Sequence, residues 1–486
     1  MPIPTPQLPV HSPHDVVIVG GGIAGLATAF ELSRRGASFV ILERAGRAGG
    51  VIFSEEVEGF NIDGGPDSLL IQKPEAIALC RELGLGDRLV STKLPRIAYI
   101  QRGGRLHALP AASVLGIPTQ IGPFARTTLF SWAGKLRMGA ELFVPPRRDE
   151  ADESIGSFMT RRFGREATTF LAEPLLAGIH AGDVDRLSVR ALFPRLVAAE
   201  REHGSLLRAF HRPIPKSISN QQSAINNEGA FKSLPGGLGE MVSALVRALG
   251  AEHIRLHTTV SSIDGRGPFV VRTSAGETIE AKAVVLAAPA YAASAVLRGL
   301  DEEMARLAAE IPYASAATVA LAFNRGEVRD PLSGSGFVVP RVEQTGLLAG
   351  SWLSSKWPHR APDDRVLMRT FIGGARDPQA LERSDAELVR MSMAALTPLL
   401  GISREPFLTR VYRWVRGNAQ HEVGHLDRMA AIDKALVRHP GLFLTGSGFR
   451  GAGIPDCVAD GRKTGAAAAA FVNPELRTQH SELGTK

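Results

Sequence analysis

Cysteine is almost absent, with only Cys80 and Cys457 in 486 residues. Two thiols so far apart offer no disulfide framework and fit a reducing, cytoplasmic compartment. Uncharged apolar runs of about 18 residues or more are also missing, so no transmembrane helix is expected. The opening MPIPTPQLPVHSPH places prolines where a signal peptide needs a basic start and an apolar core, so residues 1–14 read as a flexible lead. No zinc-finger, helix-turn-helix or RNA-recognition pattern accompanies the dispersed basic residues, and nucleic acid is not expected as a partner. The composition that remains, 44% hydrophobic and 22% charged, is that of a globular protein with chain enough for more than one core. A net charge of +7 points to a negatively charged surface or ligand, either an anionic membrane face or an acidic substrate.

What the sequence does contain is DVVIVGGGIAGLATAFELSRRGASFVILER, residues 15–44. Asp15 to Val19 is an apolar run of buried-strand type, followed by Gly20, Gly22 and Gly25 in G-x-G-x-x-G order. Ile23, Leu26, Ala27 and Phe30 recur at helical spacing, and Arg34, Arg35 and Gly36 supply a basic last turn and a glycine stop. Phe39 to Leu42 gives a second strand that ends at Glu43. These are the parts of a βαβ dinucleotide fold. Gly20 permits the turn, Gly22 lets the backbone approach a pyrophosphate, and Gly25 lets helix and strand pack. The N–H groups of Ile23 and Ala24 at the helix start favour phosphate. Glu43 suits the free ribose hydroxyls of NAD or FAD rather than NADP. Further on, residues 251–289 read as short strands with turns at Asp264-Gly265 and Ala275-Gly276, and residues 441–471 as a strand, a glycine-rich crossing and an Ala-rich helix. The fold class expected is α/β in its nucleotide part and α+β overall.

HEVGH, residues 421–425, spells the zinc-hydrolase motif. On a helix it would set two imidazoles on one face, with Glu422 between them as general base. Gly424 costs about 1 kcal/mol of helix stability relative to Ala, and no third ligand follows at a usual spacing. A polar connecting loop without metal is the expectation.

GRAGG, residues 46–50, resembles the R-x-G-G segment of the flavin amine oxidase and porphyrinogen oxidase superfamily, at Arg47, Gly49 and Gly50. A second nucleotide fingerprint is missing, so FAD as cofactor and O2 as electron acceptor are implied rather than a nicotinamide donor. GPDSLL (65–70), LAGIHAGDVDRLSVRALFPRLVAAE (176–200), LPGGLGEM (234–241), FVVP (337–340), RVYRWVRGNAQHEVGHLDRM (410–429) and GIPDC (453–457) are similar to the oxygen-dependent protoporphyrinogen and coproporphyrinogen oxidases.

That resemblance implies a flavoenzyme of haem biosynthesis in three parts. They are a Rossmann-like FAD-binding domain (15–95, 235–300 and 430–472), a mixed-sheet substrate domain (206–234 and 301–429) and a helical domain able to associate with a membrane (96–205). FAD would be met by Val260, Gly446, Gly453 and Ile454 besides the opening residues. Arg96 is implied to pair with a propionate of the porphyrinogen, Gly178 to lie beside the ring over the flavin as the catalytic-centre backbone, Val338 to give an aliphatic contact and Trp357 to stand where relatives carry Phe. Between Ala112 and Arg148, apolar and aromatic residues mix with Arg126, Lys135, Arg137, Arg147 and Arg148 against Glu141 alone. This segment reads either as a lipid-facing element, peripheral on the inner face of the cell membrane, or as a basic helix packed on its own core. An amine or carotenoid oxidoreductase on the same fold is the alternative activity, and a homodimer stays open.

Overall fold

A computed structural model describes residues 14–110, 113–114, 117–118, 120–211 and 229–477. Of the lead expected over residues 1–14, His14 instead opens the first strand; residues 1–13, together with Ala112, Leu115 and residues 212–228, lie outside the described residues. Five parallel strands stand in the spatial order Ile254–Arg255, Phe39–Leu42, His14–Val19, Thr278–Leu286 and Leu442–Leu444. The hairpin Val260–Asp264 and Phe269–Thr273 continues antiparallel from the first half of Thr278–Leu286. Val16, Val17 and Ile18 are fully buried, as strands covered on both faces must be. One face is covered by the helices Ile23–Arg34, Gly239–Leu249 and Ile454–Val472, the other by Ala290–Leu297, Glu302–Ala309 and His425–Leu436.

A second sheet of seven strands runs Leu408–Ala419, Tyr313–Asn324, Arg365–Gly373, Leu347–Trp352, Gly336–Val338, Ala98–Arg102 and Arg105–Ala108. All its pairings are antiparallel except that of Gly336–Val338 with Ala98–Arg102. A third core is helical. It gathers Phe158, Met159, Phe163, Leu171 and Leu196 around the helix Ile155–Phe163 and the widened π-helical stretch Thr168–Ala177.

Three expected boundaries move. Residues 98–108 join the second sheet rather than the helical part, because the backbone of Ala98–Ile100 is hydrogen-bonded to Gly336–Val338. Leu206, assigned to the substrate part, packs in the helical core. Met304 to Ile311, also assigned there, cover the nucleotide sheet. Glu141 is not a surface acid: it is fully buried, as is Arg162, which pairs with it and also donates to Val144 O (2.9 Å) and Gly204 O (3.0 Å). With its only acid withdrawn inward, the outer face of 121–148 is more basic than its composition suggested. Among the described residues no helix is long and apolar enough to cross a membrane.

The last long helix lies on the opening one with backbone against backbone. A Cβ at Gly461 would sit 2.4 Å from Ala24 O, and one at Gly465 would sit 2.6 Å from Thr28 O. Thr28 Oγ1 donates to Gly461 O across the same contact (3.0 Å). Gly461→Val should therefore lower the unfolding free energy by about 1–3 kcal/mol, read as a lower urea midpoint with unchanged slope.

Candidate active site

The first strand ends in a turn that only glycine can make. Gly20 has φ +111°, and a Cβ there would meet the Ala287 backbone at 2.9 Å. A Cβ at Gly25 would lie 2.0 Å from Gly20 O, so the helix starts pressed onto the turn. Gly22 is different. A Cβ added there meets nothing within 4 Å, so the space beside the helix start is open. No side chain caps that helix, and its leading N–H groups are left to face a ligand.

Glu43 closes one side of this cradle. Its carboxylate accepts from Gly21 N (2.7 Å) and Ala45 N (2.8 Å), which fixes it while leaving lone pairs for hydroxyl donors. The segment leading to Val260 crosses this same corner, with His257 N donating to Ala45 O (3.1 Å) and Thr258 N to Glu43 O (2.9 Å). Gly49 N donates to Gly21 O (2.7 Å), so GRAGG folds onto the first turn. Arg47 holds that loop by donating to Gly50 O (2.6 Å) and Ile52 O (3.1 Å), with its guanidinium 4.9 Å above the Phe53 ring. Burial pulls its pKa down, and Glu43 opposes this.

The far side is built by the C-terminal segment. Gly446 takes φ +107°, and Thr445 Oγ1 donates to Asp460 (2.6 Å). The loop then reaches Gly453, which precedes the helix Ile454–Val472. Lys73 bonds Asp456 in that helix's first turn (2.6 Å). Gly20, Gly22, Ile23, Ala24, Gly25, Glu43, Gly49 and Gly50 thus gather at the opening turn, with Arg47 bracing the GRAGG loop, Gly446 close to Ala24, Val260 on the segment beyond the Glu43 corner, and Gly453 and Ile454 at the start of the last helix. An open glycine face, a free helix N-terminus and a fixed carboxylate are the donor set that an adenine dinucleotide requires.

The substrate candidates are more scattered. Arg96 is half-buried, and its Nε donates to Thr92 O (3.2 Å) and Thr92 Oγ1 (3.1 Å). Gly178 ends the π-helical stretch, and its neighbour Ile179 is exposed. Val338 lies at the end of its strand, opposite Ile100 and Ala349, and packs against the helical core. Trp357 is the exception. It is fully buried among Phe60, Ile62 and Leu367, and its Nε1 donates to Asp67 (3.2 Å). The expected direct contact would need an open face, and the ring presents none: it is packed on all sides.

Sequence reasoning missed a buried charge cluster behind the cradle. Asp67 pairs with Lys356 (3.0 Å) and Arg369 (3.4 Å), and Asp63 pairs with Arg360 (2.7 Å). Arg369 also donates to Asp63 O (2.5 Å) and Gly65 O (2.6 Å). Burial alone would raise the Asp67 pKa, but Lys356 and Arg369 hold it well below the usual carboxylate range. Burial, aided by Asp67, raises that of Asp63 despite Arg360. The available signal was a charged residue in the middle of the apolar strand RVLMRTFIG. Trp414 Nε1 and Thr318 Oγ1 both donate to Gly64 O (2.8 and 2.5 Å), so the second sheet grips the DGGPD turn from three strands.

The sequence profile of the family described as flavin containing amine oxidoreductase matches residues 23–469. The coproporphyrinogen III oxidase of Bacillus subtilis is 35% identical, covering 92% of this chain and 96% of the relative. The chloroplastic protoporphyrinogen oxidase of Nicotiana tabacum is 28% identical, covering 91% of this chain and 83% of its own. A solved structure from Exiguobacterium sp. 255-15, provisionally described as a protoporphyrinogen oxidase, is 31% identical with a TM-score of 0.82, covering 95% of this chain and 99% of that one.

Gly22→Val fills the open face without touching the fold. Its expected outcome is a protein that melts like the parent yet is purified without bound dinucleotide, its affinity lowered roughly a hundredfold, about 2.7 kcal/mol, by calorimetric titration.

Proposed function

The chain belongs to the flavin-containing amine oxidoreductase family, and we propose that it uses FAD and O2 to oxidise a porphyrinogen to the porphyrin, releasing hydrogen peroxide, as a step of haem biosynthesis. The observation that carries this reading is the match, over nearly the whole chain, to proteins described as porphyrinogen oxidases. Coproporphyrinogen III is the favoured substrate, because the relatives so described share more of the sequence than those named for protoporphyrinogen. The four carboxylates of that substrate also suit a basic chain better than two.

Bound FAD supplies the hydride acceptor, taking two electrons per cycle and passing them to O2, so the six-electron oxidation needs three cycles and yields three hydrogen peroxide molecules. The protein's part is binding and orientation. The opening turn, the GRAGG loop and the start of the last helix hold the dinucleotide phosphates, and Glu43 accepts from the ribose hydroxyls. Arg96 pairs with a propionate at the pocket rim as a charge-assisted contact. The Gly178 backbone would lie beside the substrate ring; outside its chain neighbours, an added Cβ there meets only Glu173 O, at 3.7 Å. Val338 gives apolar contact. Trp357 acts at one remove by fixing Asp67, and through it Lys356, whose Nζ also bonds Ser68 (2.9 Å).

The helical part docks on an anionic lipid surface. Trp132, Leu136 and Phe143 are 71%, 74% and 84% exposed, and Lys135 Nζ lies 4.4 Å over the Trp132 ring. Aromatic side chains beside a lysine suit the lipid interface.

Purified protein given each porphyrinogen in air should develop porphyrin fluorescence with three peroxides per porphyrin, faster with coproporphyrinogen III. Silence with both substrates overturns the reading. Arg96→Ala should raise KM about tenfold or more, about 1.4 kcal/mol, with bound flavin unchanged. In vesicle sedimentation the protein should bind anionic but not neutral vesicles, and Phe143→Ser together with Lys135→Ser should abolish that binding.

A further inference from the structure

HEVGH lies in the connection between the strand Leu408–Ala419 and the helix His425–Leu436, but its histidines do not face solvent. His421 and His425 are both buried, and their rings stack with centroids 4.0 Å apart and planes 9° from parallel. His421 Nε2 lies 2.8 Å from Ser447 O, and His425 Nε2 lies 3.0 Å from Phe449 O. A carbonyl only accepts, so each Nε2 carries the hydrogen, and among the described residues no group of three or more His, Cys, Asp or Glu could hold a metal ion. Ser447 and Phe449 belong to the loop 446–453, the C-terminal wall of the cradle.

The other side of the same segment is tied to the substrate side. Gln420 Nε2 donates to His180 O (3.0 Å), in the turn that begins at Gly178. Ser188 N donates to His421 O (2.9 Å) and Val423 N to Arg186 O (2.9 Å), while Arg186 pairs with Glu422 (2.9 Å). Residues 420–425 therefore form a strap between the Gly178 turn, the helical core and the loop 446–453.

We propose that His421 and His425 are positioning residues for the flavin: as a neutral stacked pair they fix the carbonyls of Ser447 and Phe449, hold the loop 446–453 in its ligand-binding shape, and register it against the Gly178 turn through Gln420. This deepens the flavin reading of the cradle and rests on it. Two imidazoles this close cannot both be charged without strong repulsion, and the buried Nδ1 of His425 has no hydrogen-bond partner to receive a second N–H. The closed loop therefore requires neutral rings.

The surroundings agree. Burial, then His421, then Arg428 press the His425 pKa down to about 3 against the pull of the Phe449 carbonyl. Burial lowers that of His421 against the Ser447 carbonyl and Asp456. His180, facing them from the Gly178 turn, is pushed down to about 4 by burial, His421 and Lys73, with Asp456 opposing. Asp433 and Arg450, which line the groove outside the pair, neutralise each other in an ion pair. A released loop lets the imidazoles return towards their ordinary value of about 6.5. Above that pH both loop states are neutral. Below it the released state takes up protons that the closed state refuses, so closure weakens as pH falls from about 6.5 towards about 3.

The test follows FAD release from the holoenzyme by flavin fluorescence, from about pH 7.5 down to about pH 5. Wild-type affinity should fall by up to about a hundredfold per pH unit below about 6.5, two protons being taken up. His421→Gln with His425→Gln keeps an N–H donor near each Nε2 position but cannot titrate. It should hold FAD at neutral pH within a few-fold of wild type and lose the steep acid release. His421→Phe with His425→Leu keeps the packing without the donors and should lose FAD at least tenfold at every pH. Wild-type affinity that stays flat to about pH 5, a glutamine variant as acid-sensitive as wild type, or a Phe/Leu variant that retains FAD fully would each overturn the proposal. Because porphyrin formation is not read, its failure leaves the porphyrinogen assignment standing.

Discussion

Everything at the cradle depends on two helices being allowed to touch along their backbones. The opening helix and the last helix are more than four hundred residues apart in sequence, as the Thr28 to Gly461 hydrogen bond records, and each contributes one wall of the dinucleotide site. Gly461 and Gly465 make the approach possible, since any side chain there would enter the carbonyls of Ala24 and Thr28. Without that contact the loop 446–453 would have no fixed distance from the Gly20–Gly25 turn. A site assembled from separated segments needs such a reference surface, and interhelical packing of this closeness is tolerant of almost no added volume.

The second sheet is bound to the segment leaving the first by buried charge as well as by the apolar contacts of Phe60 and Ile62 with Leu367 and Trp357. Asp63 and Asp67 sit on the chain that leaves the nucleotide part; Arg369 reaches them from a strand of the second sheet, and Lys356 and Arg360 from the connection between two of its strands. Removing one member would leave its partner charged and buried, which costs more than the pair contributes. The cluster therefore acts as a register device between the cradle and the substrate sheet. The HEVGH strap makes the equivalent connection on the helical side, mostly with neutral donors and with one ion pair, Arg186 to Glu422. Between them, these two connections tie the second sheet and the helical core to the part that carries the opening glycine turn.

Local signals were legible in the sequence. The βαβ unit needs only residues 14 to 43, and its strand, glycine turn, helix and acidic residue lie as the spacing predicts, down to Gly36 in a left-handed conformation after the helix. What could not be read were partners set by distant pairing. Ala98–Ile100 carries no mark of its parallel neighbour Gly336–Val338. Glu141 looks like a surface acid until Arg162 is brought beside it in the core. Trp357 looks like a pocket aromatic until Asp67 takes its N–H. HEVGH shows the same limit: its spacing is that of a metal site, while one nitrogen of each ring, Nε2, is spent on a carbonyl supplied by a loop some 25 residues later.

The most direct measurement is the reductive half-reaction without air. Flavin-loaded protein is mixed anaerobically with coproporphyrinogen III while the visible absorption of the oxidised flavin is followed. The account predicts rapid bleaching of the yellow colour by the first two-electron transfer, return of the colour when air is admitted, and porphyrin accumulating as the further cycles in air complete the six-electron oxidation. A flavin spectrum that stays unchanged in the presence of coproporphyrinogen III and of protoporphyrinogen IX would contradict it.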